Sequence, residues 1–471
     1  MRLIKKILFL FLSVIAIISC DTHSKKGECG VSWVGGKIVN PRLDYVIISH
    51  NKNLIDTVSL DPTNTFHYKI ENTDPGIYFL NHYEYQAMFL EPGDSVMIYL
   101  NTIEFDESLS YTGRGAEKNN FLMELYLLNE NVDDNMLAYY NMGPEEFKAI
   151  MDSISSSRKK LFNNFKEKTK TTKLFDEVAK AAINYSIYSK KELYLSANSK
   201  KKVYDENIEI PQSFFTFRDS IDLGNEALRN YYPYFRCLEN YIDNLAYETY
   251  KSQEPFDRFS FTHNIHKLQV IDRVITNPSL KNSLSRSAIV RYLLNGKNVA
   301  EELQMLEAYK KINTDSIDIA EVEKLASATI KLATGNEIPN VALVSTDNTL
   351  KDLHSIIKKP TVLFFWSGES IKHYRKIHTR SSELREKYPE YNFIGINIDA
   401  HFKKWLRTVN NSGYNSQFEY QFESFKDAEQ KLLVNYVNKS IIVDKDLKIL
   451  DGNSNIFSAS IEEQLLGHLN M

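Results

Sequence analysis

The rhythm of apolar and polar positions changes twice along the body of this chain. Between residues 31 and 115 apolar residues come in short runs, some strictly alternating, separated by turn signals. The runs include Asp44-Tyr45-Val46-Ile47-Ile48, Thr65-Phe66-His67-Tyr68-Lys69-Ile70, Gly76-Ile77-Tyr78-Phe79-Leu80, Ala87-Met88-Phe89-Leu90 and Ser95-Val96-Met97-Ile98-Tyr99-Leu100. Pro62-Thr63-Asn64, Asp74-Pro75-Gly76 and Glu91-Pro92-Gly93-Asp94 lie between them, where proline presets φ and glycine admits a reversed backbone. Short strands at this spacing predict a β-sandwich. From 116 to 334 the alternation stops, and stretches such as 179–195 and 300–312 repeat every three and four residues, which predicts helices. Gly143-Pro144-Glu145-Glu146 and Asn313-Thr314-Asp315-Ser316 mark breaks between helices. Lysine-rich stretches at 156–173 and 199–202 read as solvated faces or loops.

From 335 to 471 strands and helices alternate. Strands are predicted at 361–366, 393–398 and 440–444, and helices at 370–388, around Trp405, at 427–436 and at 460–469. That order implies an α/β domain built on a central sheet. The chain as a whole is therefore expected to be multidomain α+β, with a β-sandwich, a helical middle segment and a C-terminal α/β domain.

The first thirty residues follow a different logic. Met1-Arg2-Leu3-Ile4-Lys5-Lys6 is positively charged, and an apolar run over 7–18 is too short for the roughly 20 residues of a membrane-spanning helix. It reads as a signal peptide over 1–19. Ile17-Ile18-Ser19-Cys20 resembles a lipobox, which implies a diacylated Cys20 at the start of the mature chain and a polar tether over 20–30. The expected location is the bacterial cell envelope, held by lipid. Lys25 and Lys26, rather than an acidic cluster, favour the periplasmic side.

Composition narrows the classes of partner. The 471 residues are 43% hydrophobic and 25% charged, with a formal net charge of −4. Charges of both signs are mixed along the chain, so no basic field for nucleic acid exists. Tyr and Phe are abundant, at 28 and 26, and most simply fill cores. His263 and His266 fall on one helical face, but two histidines without a carboxylate or third ligand make a poor metal site, and no cofactor is expected. Of the three cysteines, Cys20 carries the lipid, while Cys29 and Cys237 either pair or serve separately as a tether residue and a small buried hydrophobe. No C-x-x-C occurs.

Gly335-Asn336-Glu337-Ile338-Pro339-Asn340, followed by the strand and helix order above, resembles the opening of TlpA-like and ResA-like thioredoxin domains. Pro75-Gly76-Ile77-Tyr78, Glu91-Pro92-Gly93-Asp94 and Thr112-Gly113-Arg114-Gly115-Ala116-Glu117 resemble the small β-domain that precedes such domains in anchored envelope lipoproteins. The resemblance implies a thioredoxin fold over 335–471 and leaves the helical middle outside it. In redox members a helix N-terminus lowers the pKa of a first cysteine, and a second resolves the mixed disulfide. Aligning Phe364-Phe365-Trp366 with the family's F-W puts Ser370 and His373 at the two cysteine positions, with Ile371 and Lys372 between them. The family's cis-proline position falls on Asn438. Serine cannot form a disulfide and histidine cannot resolve one.

Ser370, His373 and Glu369 also pose the question of a hydrolytic pair, since a nucleophile needs an adjacent base and an oriented third group. The simpler reading is an exposed helix start, with serine as cap and glutamate suited to the dipole. Trp366 is expected to be retained for packing. The functional expectation is an envelope scaffold that binds a protein or peptide partner. The competing expectation is a thiol-disulfide oxidoreductase, and a third is a carrier of a small ligand or peptide.

Overall fold

The computed structural model describes residues 30–51, 53–199, 209–296, 298–434 and 438–469. Cys20 and Cys29, and with them the expected signal peptide and tether up to residue 29, lie outside the described residues. Contacts divide the chain into two compact units, Met1–Tyr241 and Ile242–Met471. The helical middle segment thus contributes to both. Among the described residues no helix is long and apolar enough to cross a membrane.

In the first unit the predicted alternation becomes eight strands: β1 (Ser32–Val39), β2 (Tyr45–His50), β3 (Asn53–Ser59), β4 (Thr65–Ile70), β5 (Gly76–His82), β6 (Glu84–Leu90), β7 (Ser95–Asn101) and β8 (Ser110–Arg114). They form two four-stranded sheets, ordered β4-β1-β7-β8 and β3-β2-β5-β6. Both sheets turn apolar residues into one core, with Val34, Ile38 and Val96 from the first and Val46, Ile48 and Leu80 from the second. This is the sandwich that alternation predicts.

Strand β1 was not legible in the sequence. It runs parallel to β7 and antiparallel to β4, and its Gly35-Gly36 pair interrupts any hydrophobic rhythm. A Cβ on Gly36 would run into the Ile98 carbonyl oxygen of β7. Gly36→Ala should therefore lower stability by at least about 2 kcal/mol, because backbone rather than a flexible side chain has to move. Thermal or urea unfolding checks this, and a near-neutral result would mean that β1 shifts freely in its sheet.

Helix α1 (Ala116–Asp133) follows β8. Its Asn119 side chain serves the edge strand β6 as a neighbouring backbone would. Asn119 Nδ2 donates to Phe89 O at 2.9 Å, and Phe89 N donates to Asn119 Oδ1 at 2.6 Å. Helices α2 (Pro144–Lys168), α3 (Lys173–Ser199) and α4 (Tyr232–Tyr250) come next. Much of the lysine-rich stretch expected as a face or loop is helical in α2, with Lys159 and Lys160 exposed and Arg158 and Phe162 buried. Cys237, on α4, is fully buried, and burial pushes its thiol well above the ordinary value.

The second unit opens with α5 (Phe261–Val274), α6 (Pro278–Asn295), α7 (Val299–Ile312) and α8 (Ser316–Lys331). Ser260, Asn277, Asn298 and Asp315 cap them, each side chain accepting from backbone N–H groups of the first turn. A seven-stranded sheet follows, made of β9 (Ala342–Ser345), β10 (Leu350–Asp352), β11 (Thr361–Trp366), β12 (Asn392–Asn397), β13 (Glu419–Phe422), β14 (Lys439–Val443) and β15 (Ile449–Asn455). Its order is β10-β9-β13-β12-β11-β14-β15, with β11, β12 and β13 parallel and β14 antiparallel to β11.

Helices α9 (Ile371–Lys387), α10 (Phe402–Ser412), α11 (Phe425–Leu432) and α12 (Ile461–Leu469) complete the unit. The helix expected at 427–436 ends at Leu432, where Leu433 takes a left-handed φ of 49°. Strand β11 is buried along its whole length and feeds two cores. Phe364 and Trp366 meet Tyr374, Trp405 and Ile461 on one side, while Leu363 and Phe365 meet Ile396, Phe422 and Ala428 on the other. The C-terminal ends of α6 and α8 reach β15. Asn453 Nδ2 donates to Leu294 O at 2.7 Å, and Gly452 comes so near the Leu332 carbonyl oxygen that a Cβ would strike it.

Candidate functional site

The loop joining β11 to α9 holds Ser370, one of the positions singled out in the sequence, and a carboxylate fastens it from the neighbouring strand. Asp399 follows β12. Its Oδ1 accepts from Ser367 Oγ at 2.6 Å, and its Oδ2 accepts from Gly368 N at 2.7 Å and Asn397 Nδ2 at 3.0 Å. Gln421, on β13, donates in turn to Asn397 Oδ1 at 3.1 Å and Asp399 O at 2.6 Å. A Cβ on Gly368 would lie 3.2 Å from Asp399 Oδ2, so glycine permits the loop to come this close. Three strands thus position one turn.

Ser370 stands at the N-cap of α9, exposed, but its side chain makes no capping bond. The expectation that it caps the helix is not met. The first turn is tied through the Ser370 carbonyl, which accepts from Tyr374 N, and through Glu369, which pairs with Lys404 of α10. Glu369 is therefore directed to α10.

His373 and Asn438 are brought together. His373 Nε2 donates to Asn438 Oδ1 at 2.8 Å, joining the second cysteine position to the cis-proline position across 65 residues of chain. Burial pushes the imidazole below its ordinary pKa, the bond to Asn438 opposes that shift, and the nearby His378 adds to it. The other ring nitrogen, Nδ1, is buried and has no hydrogen-bond partner among the described residues. The Phe457 ring lies edge-on to His373 at 6.1 Å. No hydrogen bond joins Ser370 to His373 among the described residues, so no serine–histidine relay is assembled. The arrangement offers a neutral imidazole, an amide and an exposed hydroxyl, a set suited to hydrogen bonding with a ligand.

Beneath this surface lies a polar cluster that sequence reasoning missed. Glu419, 3% exposed, accepts from Trp366 Nε1 at 3.1 Å and from His378 Nε2 at 3.2 Å. His378 Nδ1 meets Tyr374 O at 2.7 Å, and the ring stacks on Tyr414 at 3.7 Å. Gly395 makes room, since a Cβ there would lie 2.7 Å from Glu419 Oε1. Trp366 is packed as expected and is also a hydrogen-bond donor to this carboxylate. The available signal was a glutamate and a glycine among apolar strand residues.

His263 and His266 do not form a site together. His263 bonds Tyr250 Oη and Asp243, whereas His266 bonds Thr249.

A sequence family described as Thioredoxin-like matches residues 358–449. A thioredoxin-like protein from Bacteroides caccae shares 13% identity, over 59% of this chain and 94% of its own, with a TM-score of 0.36. A protein provisionally assigned as a thiol-disulfide oxidoreductase from Bacteroides vulgatus shares 18% identity, over 29% of this chain and 97% of its own, with a TM-score of 0.26. One provisionally assigned as a thiol:disulfide interchange protein DsbE from Chlorobium tepidum shares 18%, with the same coverages and a TM-score of 0.25. No curated protein matches the chain. Residues 358–449 form a thioredoxin-like domain near the C-terminus.

Proposed function

We propose that this protein is a lipid-anchored scaffold of the bacterial envelope, TlpA-like in descent, whose thioredoxin-like domain binds a protein or peptide partner and performs no dithiol exchange. The observation that carries the reading is the bond between His373 and Asn438. It occupies the ground where the resemblance would put a resolving thiol and a substrate-holding proline. Ser370 beside it lacks a thiolate's nucleophilicity. The lipobox around Cys20 supports the anchor, and the periplasm is the proposed face.

Three measurements test this. The purified protein should leave insulin unreduced above background in dithiothreitol, while Ser370→Cys combined with His373→Cys should acquire a titratable dithiol. Insulin reduction by the unaltered protein would end the redox-inactive reading. Cross-linking in intact cells should capture a partner that Ser370→Arg loses, and capture unaffected by that change would place the contact elsewhere. Cys20→Ser should move the protein out of the membrane fraction, and continued membrane retention would remove the lipid anchor.

A further inference from the structure

A cavity of about 190 Å³ lies inside the second unit, where α6, α7 and α8 meet β14 and β15. Leu294, Leu332 and Leu450 make much of its wall apolar. Two ionisable groups line it although they are almost fully buried, Lys439 at 3% and Glu302 at 4% exposure. Lys439 Nζ donates to Leu432 O at 2.9 Å and Leu433 O at 3.2 Å. Among the described residues no carboxylate pairs with it. A neutral amine that gives both hydrogens to carbonyl oxygens keeps a free lone pair.

We propose that this cavity binds a small aldehyde, with Lys439 as the amine that condenses with its carbonyl and Glu302 as the acid. The mixed lining argues for a neutral ligand. What the pair suits is an uncharged electrophile needing both a lone pair and a proton.

Burial acts on both groups. It pushes the Lys439 ammonium down to about 7, opposed by Asp451, and pushes the Glu302 carboxyl up, opposed by the hydroxyl of Thr329, which donates to Glu302 Oε2 at 2.8 Å. His468 is a further titratable group on the wall. In the reaction the Lys439 nitrogen bonds to the carbonyl carbon. The carbonyl oxygen leaves as water, taking one hydrogen from the amine and one from Glu302. An iminium remains, with the Glu302 carboxylate as counterion and one N–H left for a loop carbonyl.

The test is reductive trapping. The full chain would be treated with propanal and cyanoborohydride at pH 7.5, then mapped by mass spectrometry. Lys439 should carry at least about tenfold more label than a typical surface lysine, because surface amines are almost wholly protonated at that pH. Labelling no higher than the surface lysines would overturn the proposal. So would a preference for Lys439 that persists in denaturant, since the cavity would then play no part. Glu302→Gln, with folding verified by thermal melt, should slow Lys439 labelling severalfold, and an unchanged rate would remove Glu302 as the acid.

Discussion

Replacing Asp243 by alanine is expected to cost about 3–5 kcal/mol of stability, read by urea unfolding at neutral pH. The carboxylate is 1% exposed. Its Oδ1 accepts from Lys267 Nζ at 2.5 Å and His263 Nε2 at 3.2 Å, and Arg258 lies 3.4 Å from Oδ2. His263 is fully buried and reaches Tyr250 Oη at 2.8 Å through its other nitrogen. Alanine would leave the buried Lys267 ammonium without its counterion, and an uncompensated buried charge costs more than the lost pair contributes. Burial alone would raise the Asp243 pKa, but Lys267, His263 and Arg258 outweigh it and hold the carboxyl well below the usual carboxylate range. A depressed acid pKa gives stability present above the unfolded value near 4 and lost as pH falls through the folded one. Asp243→Ala should therefore flatten the acid limb of the stability curve as well as lower its plateau. A loss below about 1 kcal/mol would show that water replaces the carboxylate.

The second large effect has the same sign but falls at the other end of the pH range. Lys439 titrates near 7 in the folded state and near 10.4 when unfolded, so between these values the unfolded chain binds the extra proton. Stability should rise with pH across that window, by up to about 1.4 kcal/mol per unit and on the order of 4 kcal/mol in all. Below pH 7 the full penalty is present. Lys439→Met should lack this component, and the difference between the two curves is the readout because other groups titrate near pH 10. Absolute stability is a poorer guide, since methionine also withdraws the donors serving Leu432 O and Leu433 O. Parallel curves from pH 7 to 10 would refute the assignment.

How much of this was legible in the sequence depended on the range of the cause. Strand β11 was found at its true limits because six consecutive residues are buried on both faces, which leaves an unbroken apolar run. Strands β9, β10, β13 and β15 were missed. They are short, exposed or polar, as in Glu419-Tyr420-Gln421-Phe422, and only their neighbours in the sheet make them strands. At the site, local counting placed Ser370, His373 and Asn438, but the bond between the last two needs the fold. Asp399 follows directly on the strand expected at 393–398. Its grip on Ser367 and Gly368, some thirty residues away, was not legible. Serine at a helix start is a statistical cap, and Ser370 shows that the hydroxyl must also turn towards the free N–H groups.

The Asn119 amide on β6 bears on how the protein behaves in company. A strand at the rim of a sheet exposes unspent donors and acceptors and invites another chain to zip alongside. At Phe89 both are already spent on a single side chain from the protein's own helix. With Phe89 0% and Asn119 2% exposed, that stretch of the rim is covered from within and closed to a second chain. Asn119→Ala would strand a buried N–H and C=O at Phe89 and should cost about 1–3 kcal/mol in urea unfolding.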